Sequence, residues 1–187
     1  MPLFNPPTAA ASGVDAYTAM LGLVAQPFPL DVIDNDNLGA TSGFLLLSLI
    51  RPGAKLISNL GVWLTTAGTA PGSASMALFS ADGSSQLAVT GDMSTALTTA
   101  GNDGTHQEAA VTVPFTASAD TNYYVGLFTA LTADAKIGGA FSGAGLHLPT
   151  VKGNRPAIVV GGLGAMPSTV NVAGATTAAA VYWLTAS

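Results

Sequence analysis

Apolar residues after position 42 alternate with polar or small ones, which is the spacing of strands with one buried face. Leu60, Val62 and Leu64 fall on one face of such a run, and Val111 and Val113 fall on one face of another. No long helical spacing separates these runs, which disfavours α/β folds. Short strands are predicted at residues 44–50, 56–64, 74–79, 87–90, 109–115, 123–129, 158–160, 170–172 and 178–184.

The number of these runs is close to eight, and their spacing is typical of the strands of sandwiches and barrels, so they predict an all-β fold. We expect an antiparallel two-sheet jelly-roll-like sandwich, because jelly rolls use eight strands and long crossing loops. Asp82-Gly83 is a dipeptide that favours a tight hairpin turn, and residues 65–72 and 91–104 are expected to be loops.

The first 40 residues differ from the rest because prolines interrupt them repeatedly, which favours extended backbone. Residues 1–40 are therefore predicted to form an extended N-terminal arm or anchor, and residues 41–187 the β-sandwich domain. Only residues 14–25 of the arm place apolar side chains at helical spacing, so a short helix is expected there. The arm either docks elsewhere or wraps over the domain's own core, and the sequence supports both arrangements.

Charged residues make up only 8% of the chain, against roughly 25% in a typical soluble domain. A surface with so few charges is neutral and favours burial against partner molecules. Five scattered basic residues and a net charge of −5 disfavour nucleic-acid binding, which needs a clustered basic face. Residues 156–187 carry no charge, but glycines and a proline interrupt them, so no membrane span is predicted.

No motif gathers reactive groups, so we predict no catalytic residue, no metal site and no cofactor. Cysteine is absent, and His106 and His147 lie in separate turn-like segments without a recognisable carboxylate partner. The acidic segment from Asp31 to Asp36 is similar to a calcium loop, but apolar residues occupy two of the positions that need oxygen ligands. Turn formation explains this segment better, and calcium binding stays the alternative.

Aromatic residues in the predicted strands are the remaining candidates for binding. Trp63, Tyr124, Tyr182 and Trp183 could form a flat platform for sugar rings, or they could pack in the core or at an interface. Neighbouring residues of a strand point to opposite faces, so one member of the Tyr182-Trp183 pair is expected to leave the core. Packing is the favoured interpretation of these side chains.

Five short motifs lie between Ile57 and Phe128. They are Leu-Gly-Val-Trp-Leu-Thr-Thr-Ala-Gly-Thr at residues 60–69, Leu-Phe-Ser-Ala-Asp-Gly at 78–83, Thr-Gly-Asp at 90–92, Val-Pro-Phe at 113–115 and Tyr-Tyr-Val-Gly-Leu at 123–127. With these motifs the stretch resembles the β-sandwich domain of minor tail and other virion proteins of actinobacterial phages. The resemblance implies a component of the phage particle and carries over no catalytic residue.

The sequence therefore predicts a non-enzymatic structural protein of a phage virion, a minor tail, tail-tip or fibre component that associates with copies of itself, as a trimer, and with other virion proteins. The arm would attach it to the particle through apolar side chains, namely Leu3, Phe4, Tyr17 and Phe28. A capsid decoration protein is the close alternative. A carbohydrate-binding module for host surface glycans is the second alternative.

Overall fold

The structure is a computed structural model that describes residues 22–27, 35–141, 157–178 and 180–187, with residues 35–37, 141 and 177 described by their backbone alone. The strands are β1 (Asn35–Ala40), β2 (Phe44–Ile50), β3 (Leu56–Thr66), β4 (Thr69–Ser80), β5 (Gln86–Val89), β6 (Thr105–Thr116), β7 (Tyr123–Ala133), β8 (Ala135–Phe141), β9 (Ala157–Val160), β10 (Thr176–Thr177), β11 (Ala180–Tyr182) and β12 (Leu184–Ala186). A short helix, α1 (Ser94–Thr98), and a 3-10 turn (Ala100–Asn102) lie between β5 and β6.

The first eight strands form two antiparallel sheets that pack face to face. One sheet has the order β1-β8-β3-β6, and the other has the order β2-β7-β4-β5. In this arrangement the chain repeatedly crosses from one sheet to the other, as it does in the eight-stranded jelly roll. The predicted all-β, antiparallel jelly-roll-like sandwich is confirmed.

The last strands of the chain extend both sheets. β9 pairs with β2 and β10 pairs with β9, so the second sheet grows at that edge. The chain then crosses to the first sheet, where β11 pairs with β8 and β12 pairs with β3. Because β3 and β8 pair directly with each other only at the other end, near Leu64 and Ile137, the C-terminal strands fill a wedge between them.

The main core lies between the sheets and consists of the inward side chains predicted by the period of two. Leu60, Val62 and Leu64 of β3 are all fully buried there. A second apolar cluster covers the outer face of the second sheet, where Leu45, Leu47, Phe79, Tyr124 and Phe128 pack with residues of the segment 161–175. Both faces of that sheet are therefore buried, which explains why β2 is apolar at almost every position.

The observed strands differ from the predicted ones where small residues hide the pattern. The structure confirms the strand at 44–50 with the predicted bounds. It adds β1 and β8, and it extends β3 and β4 so that only residues 67 and 68 separate them. Residues 170–172, predicted as a strand, are instead part of the segment that covers the second sheet.

A close approach of the backbone explains the tight connection between β3 and β4. A side chain at Gly68 would place its Cβ 2.6 Å from the carbonyl oxygen of Ala133, so glycine alone fits where the chain changes sheets.

The predicted hairpin at Asp82-Gly83 is present between β4 and β5. Gly83 has a φ of 73°, and its Cβ would lie 2.1 Å from the carbonyl oxygen of Val170.

The predicted boundary at residue 40 needs correction, because β1 belongs to the first sheet and the sandwich therefore includes Asn35–Ala40. Leu23 and Ala25 are also buried, and Ala25 forms a β-bridge with Ala186. This part of the predicted arm wraps over the domain's own core. A helix was expected at residues 14–25, but residues 22–25 are not helical.

Several predictions fall outside what the structure describes. The anchor residues Leu3, Phe4, Tyr17 and Phe28 lie outside the described residues, as do most of the acidic segment from residue 31 to residue 36 and His147. In the ranges that are described, no helix has the length and apolar character needed to cross a membrane.

Candidate functional site

The four aromatic residues singled out in the sequence lie in different environments. Tyr124 is completely buried in the cluster outside the second sheet, and Tyr182 is buried in the core between the sheets. Trp183 is 1% exposed, whereas Trp63 is only partly buried. The four rings therefore do not form a common platform. Three of them are packing residues, and Trp63 alone offers part of its surface to solvent.

Both tryptophans of the chain nevertheless meet on the outer face of the first sheet. The rings of Trp63 and Trp183 pack edge to face, with centroids 6.2 Å apart and planes at 89°. The imidazole of His106 packs against Trp183 in the same way, with centroids 5.3 Å apart. We call Trp63, His106 and Trp183 the tryptophan cluster. Such edge-to-face contacts are favourable beyond the area that they bury.

Strand register explains how three distant parts of the chain form this cluster. Trp63 on β3 pairs with His106 on β6, and Trp183 joins β11 to β12 on the other side of β3. Side chains that pair across neighbouring strands point to the same face, so the rings converge. His106 was predicted to lie in a turn-like segment, but it belongs to β6.

A glycine makes the cluster possible. Gly61 pairs with Glu108 of β6 on one side and with Thr185 of β12 on the other. A Cβ at this position would lie 2.3 Å from Nε2 of His106 and 2.9 Å from Oγ1 of Thr185. The missing side chain leaves room for the imidazole to cross the strand and to hydrogen bond with Thr185 Oγ1 at 2.9 Å.

A row of polar side chains borders the cluster along the same face. Asn59 Nδ2 donates to Oγ of Ser187 at 3.2 Å, and Ser187 Oγ donates to Oε2 of Glu108 at 3.1 Å. Glu108 is exposed, while Asn59 and Ser187 are partly buried. We call these three residues the polar row. It fixes one carboxylate and one amide on the same face of the sheet as the cluster.

The electrostatics of the cluster favour a neutral histidine. Burial lowers the pKa of His106 below its ordinary value, because the charged imidazolium loses hydration. The carboxylate of Glu108 acts in the opposite direction, but its effect is smaller than that of burial. His106 is therefore uncharged at neutral pH, with Thr185 as its hydrogen-bonding partner.

Apart from Glu108 of the polar row, the carboxylates of the described side chains stabilise loops and strand ends and do not converge on a site. Each accepts a hydrogen bond from a nearby loop or strand end or pairs with a base: Asp82 with Ser80 and Ser84, Asp92 with Ala74 and Ser94, Asp103 with Ala67, Glu108 with Ser187, Asp120 with Arg51 and Asp134 with Ser42. Hydrogen bonds from Ser80 and Ser84 lower the pKa of Asp82 to about 2. Bonds from Ser94 and Ala74 also lower the pKa of Asp92.

The described residues contain no group of three or more histidine or acidic side chains that could hold a metal ion. His106 is near one acid, and its imidazole already bonds with Thr185. What this face offers is an aromatic surface and fixed hydrogen-bonding groups, which suit binding better than proton transfer. The two tryptophans could be named as candidates from the sequence. Their contact with each other and with His106 could not be predicted, because strands β3, β6 and β12 are far apart along the chain.

A scan against protein-family models found no match for this chain, and a search of curated proteins found none either. The resemblance to phage virion domains therefore remains a prediction from the sequence motifs.

Proposed function

We propose that this chain is a non-enzymatic structural protein of a phage particle, a tail-tip or fibre component that acts by associating with copies of itself. The observation that carries the proposal is the use of the described carboxylates. Among the described residues these carboxylates bond to nearby loops, turns and strand ends, which suits a structural body with few charged residues. Its phage origin rests on the sequence resemblance.

An exposed apolar site at one end of the first sheet supports self-association. Leu56 is 54% exposed and Val113 is 68% exposed, and they are the large hydrophobic side chains most open to solvent among the described residues. Leu56 pairs with Thr116, which follows Val113 by three positions on β6. Both side chains therefore lie at the same end of the sheet.

A bulge in the edge strand presents Val113 outward. β6 keeps its pairing with β3 up to Ala110 and resumes it at Phe115, so the residues between them belong to β6 but are not paired with β3. Val111 instead forms a bridge with Thr90, which closes the sandwich at this edge. Bulges of this kind re-aim side chains and terminate pairing, and here the bulge exposes an apolar residue next to Pro114.

Size-exclusion chromatography with light scattering tests the proposal. The full chain is expected to form a homo-oligomer, a trimer, because neutral surface with exposed apolar side chains favours contact between copies. Val113→Asp and Leu56→Asp place a charge in that contact and should shift the mass toward the monomer. Ser73→Asp adds the same charge at an exposed position of β4 and should leave the mass unchanged.

A monomeric wild-type chain would contradict self-association, and an oligomer unaffected by both charged variants would show that another surface holds it. Electron microscopy of the phage particle with this chain labelled tests the position. We expect the label at the tail tip, whereas a label spread over the head would favour the decoration alternative.

A further inference from the structure

The tryptophan cluster is unusual on a surface made mostly of small residues. Both tryptophans of the chain lie together on the outer face of the first sheet, where the ring of Trp63 is only partly buried. Trp183 packs edge to face against Trp63, and His106 packs in turn against Trp183, so these contacts restrict the position of the Trp63 ring. A fixed aromatic ring binds a flat apolar surface without losing side-chain freedom.

The polar row restricts the chemistry of a molecule that would lie on this ring. Asn59, Ser187 and Glu108 form a continuous hydrogen-bonded row, so their geometry exists before any ligand arrives. A pyranose has an apolar face of C–H groups for the ring and hydroxyl groups around its rim for such a row. A purely apolar ligand would leave these polar groups without their water, which is unfavourable.

The charge of the site further restricts the class of sugar that it could bind. Glu108 is exposed and bears a negative charge beside the cluster, and the whole chain carries a net charge of −5. A carboxylate on the sugar would be repelled at this site, whereas neutral hydroxyl groups can donate to Glu108. Neutral hexoses and N-acetylhexosamines therefore fit, and uronic acids do not.

We propose that the tryptophan cluster and the polar row bind one neutral pyranose ring, with Trp63 stacking on its apolar face and Glu108 accepting hydrogen bonds from its hydroxyl groups. Binding of one ring is weak, with a dissociation constant on the order of 1 mM, because a small ligand makes few contacts. Many copies in one assembly would multiply this affinity through simultaneous contacts. The inference does not depend on the proposed structural role.

Intrinsic fluorescence provides a direct assay, since both tryptophans of the chain lie in the cluster. The full chain is titrated with the methyl glycosides of glucose, galactose, mannose and N-acetylglucosamine, and saturation-transfer NMR identifies the bound face of the sugar. We expect at least one glycoside to bind. Methyl glucuronoside should bind at least several-fold more weakly than the corresponding glucoside.

Variants separate this site from general effects. Trp63→Ala should weaken binding at least about tenfold, and Trp63→Phe should retain part of it, because a smaller ring still stacks. Glu108→Gln should reduce the discrimination against the glucuronoside. Ser73→Ala, a change at an exposed position of the other sheet, should leave binding unchanged.

Circular dichroism of each variant shows whether it folds, and a folded Trp63→Phe variant keeps the test valid if Trp63→Ala does not fold. The proposal is overturned if none of the glycosides binds at about 50 mM, which is far above the expected dissociation constant. It is also overturned if binding persists unchanged in a folded Trp63→Ala variant.

Discussion

Replacing Ser48 by alanine should destabilise the sandwich through a single hydrogen bond between its sheets. Ser48 lies on β2, a strand that is otherwise apolar, and it is completely buried. Its Oγ donates to the carbonyl oxygen of Tyr182 on β11 at 2.7 Å. This bond joins the second sheet to the C-terminal strand that fills the wedge in the first sheet.

The expected cost follows from the burial of the carbonyl group. In Ser48→Ala the Tyr182 oxygen loses this donor at a position that water does not reach, and an unmade buried hydrogen bond costs about 1–3 kcal/mol. Thr132→Val is the matched control. Thr132 Oγ1 donates to the carbonyl oxygen of Pro71 at 2.8 Å in an exposed place, so water can replace it and the cost stays within about 0.5 kcal/mol.

Urea denaturation followed by tryptophan fluorescence measures both free energies of unfolding, since Trp183 directly follows Tyr182 in the chain. Ser48→Ala should be less stable than Thr132→Val by more than the error of the measurement. Equal stability of the two variants would show that the hydroxyl of Ser48 does not hold the C-terminal strand to the second sheet.

Three further substitutions test other parts of the structure. Gly139→Ala would place its Cβ 2.6 Å from the carbonyl oxygen of Val181, so urea denaturation should show that the free energy of unfolding falls by about 1–3 kcal/mol. A variant as stable as wild type would refute the tight contact between β8 and β11. His106→Gln should become progressively more stable relative to wild type as the pH falls below 6.5. The reason is that the histidine takes up a proton in the unfolded chain, whereas burial disfavours the charged imidazolium in the folded chain. Parallel curves of thermal midpoint against pH for the two proteins would contradict this. Asp82→Asn should be less stable than wild type at neutral pH, because the hydrogen bonds that lower the pKa of Asp82 favour its charged form. The difference in stability should disappear as the pH falls from 3.8 to about 2. A difference in thermal midpoint that persists at about pH 2 would show that these hydrogen bonds to the charged carboxylate are not its cause.

Alternation along the chain predicted the sandwich because its inward faces follow the rule strictly. Leu60, Val62 and Leu64 point into the core, as their spacing indicates. The same rule could not identify β8, where Gly138 and Gly139 replace the apolar side chains, although the strand lies between β1 and the C-terminal strands. Where packing requires close approach of two backbones, small residues remove the pattern that reveals a strand.

The candidate site was less predictable than the fold. Trp63 and Trp183 could be named from the sequence, but which aromatic rings reach the surface depends on the second cluster outside the β2–β7 sheet. That cluster buries Tyr124, which the sequence could equally place on an exposed face. Contacts among β3, β6 and β12 join residues separated by up to about 125 positions, and no local pattern encodes them.

Sedimentation velocity of the full chain over a range of concentrations tests the proposal that this jelly roll assembles with copies of itself. We expect a discrete species with about three times the 18.5 kDa mass of one chain, which dissociates on dilution or when Val113→Asp is introduced. A single monomeric species that persists at about 100 µM would contradict self-association, because contact between copies would then be too weak to build a particle.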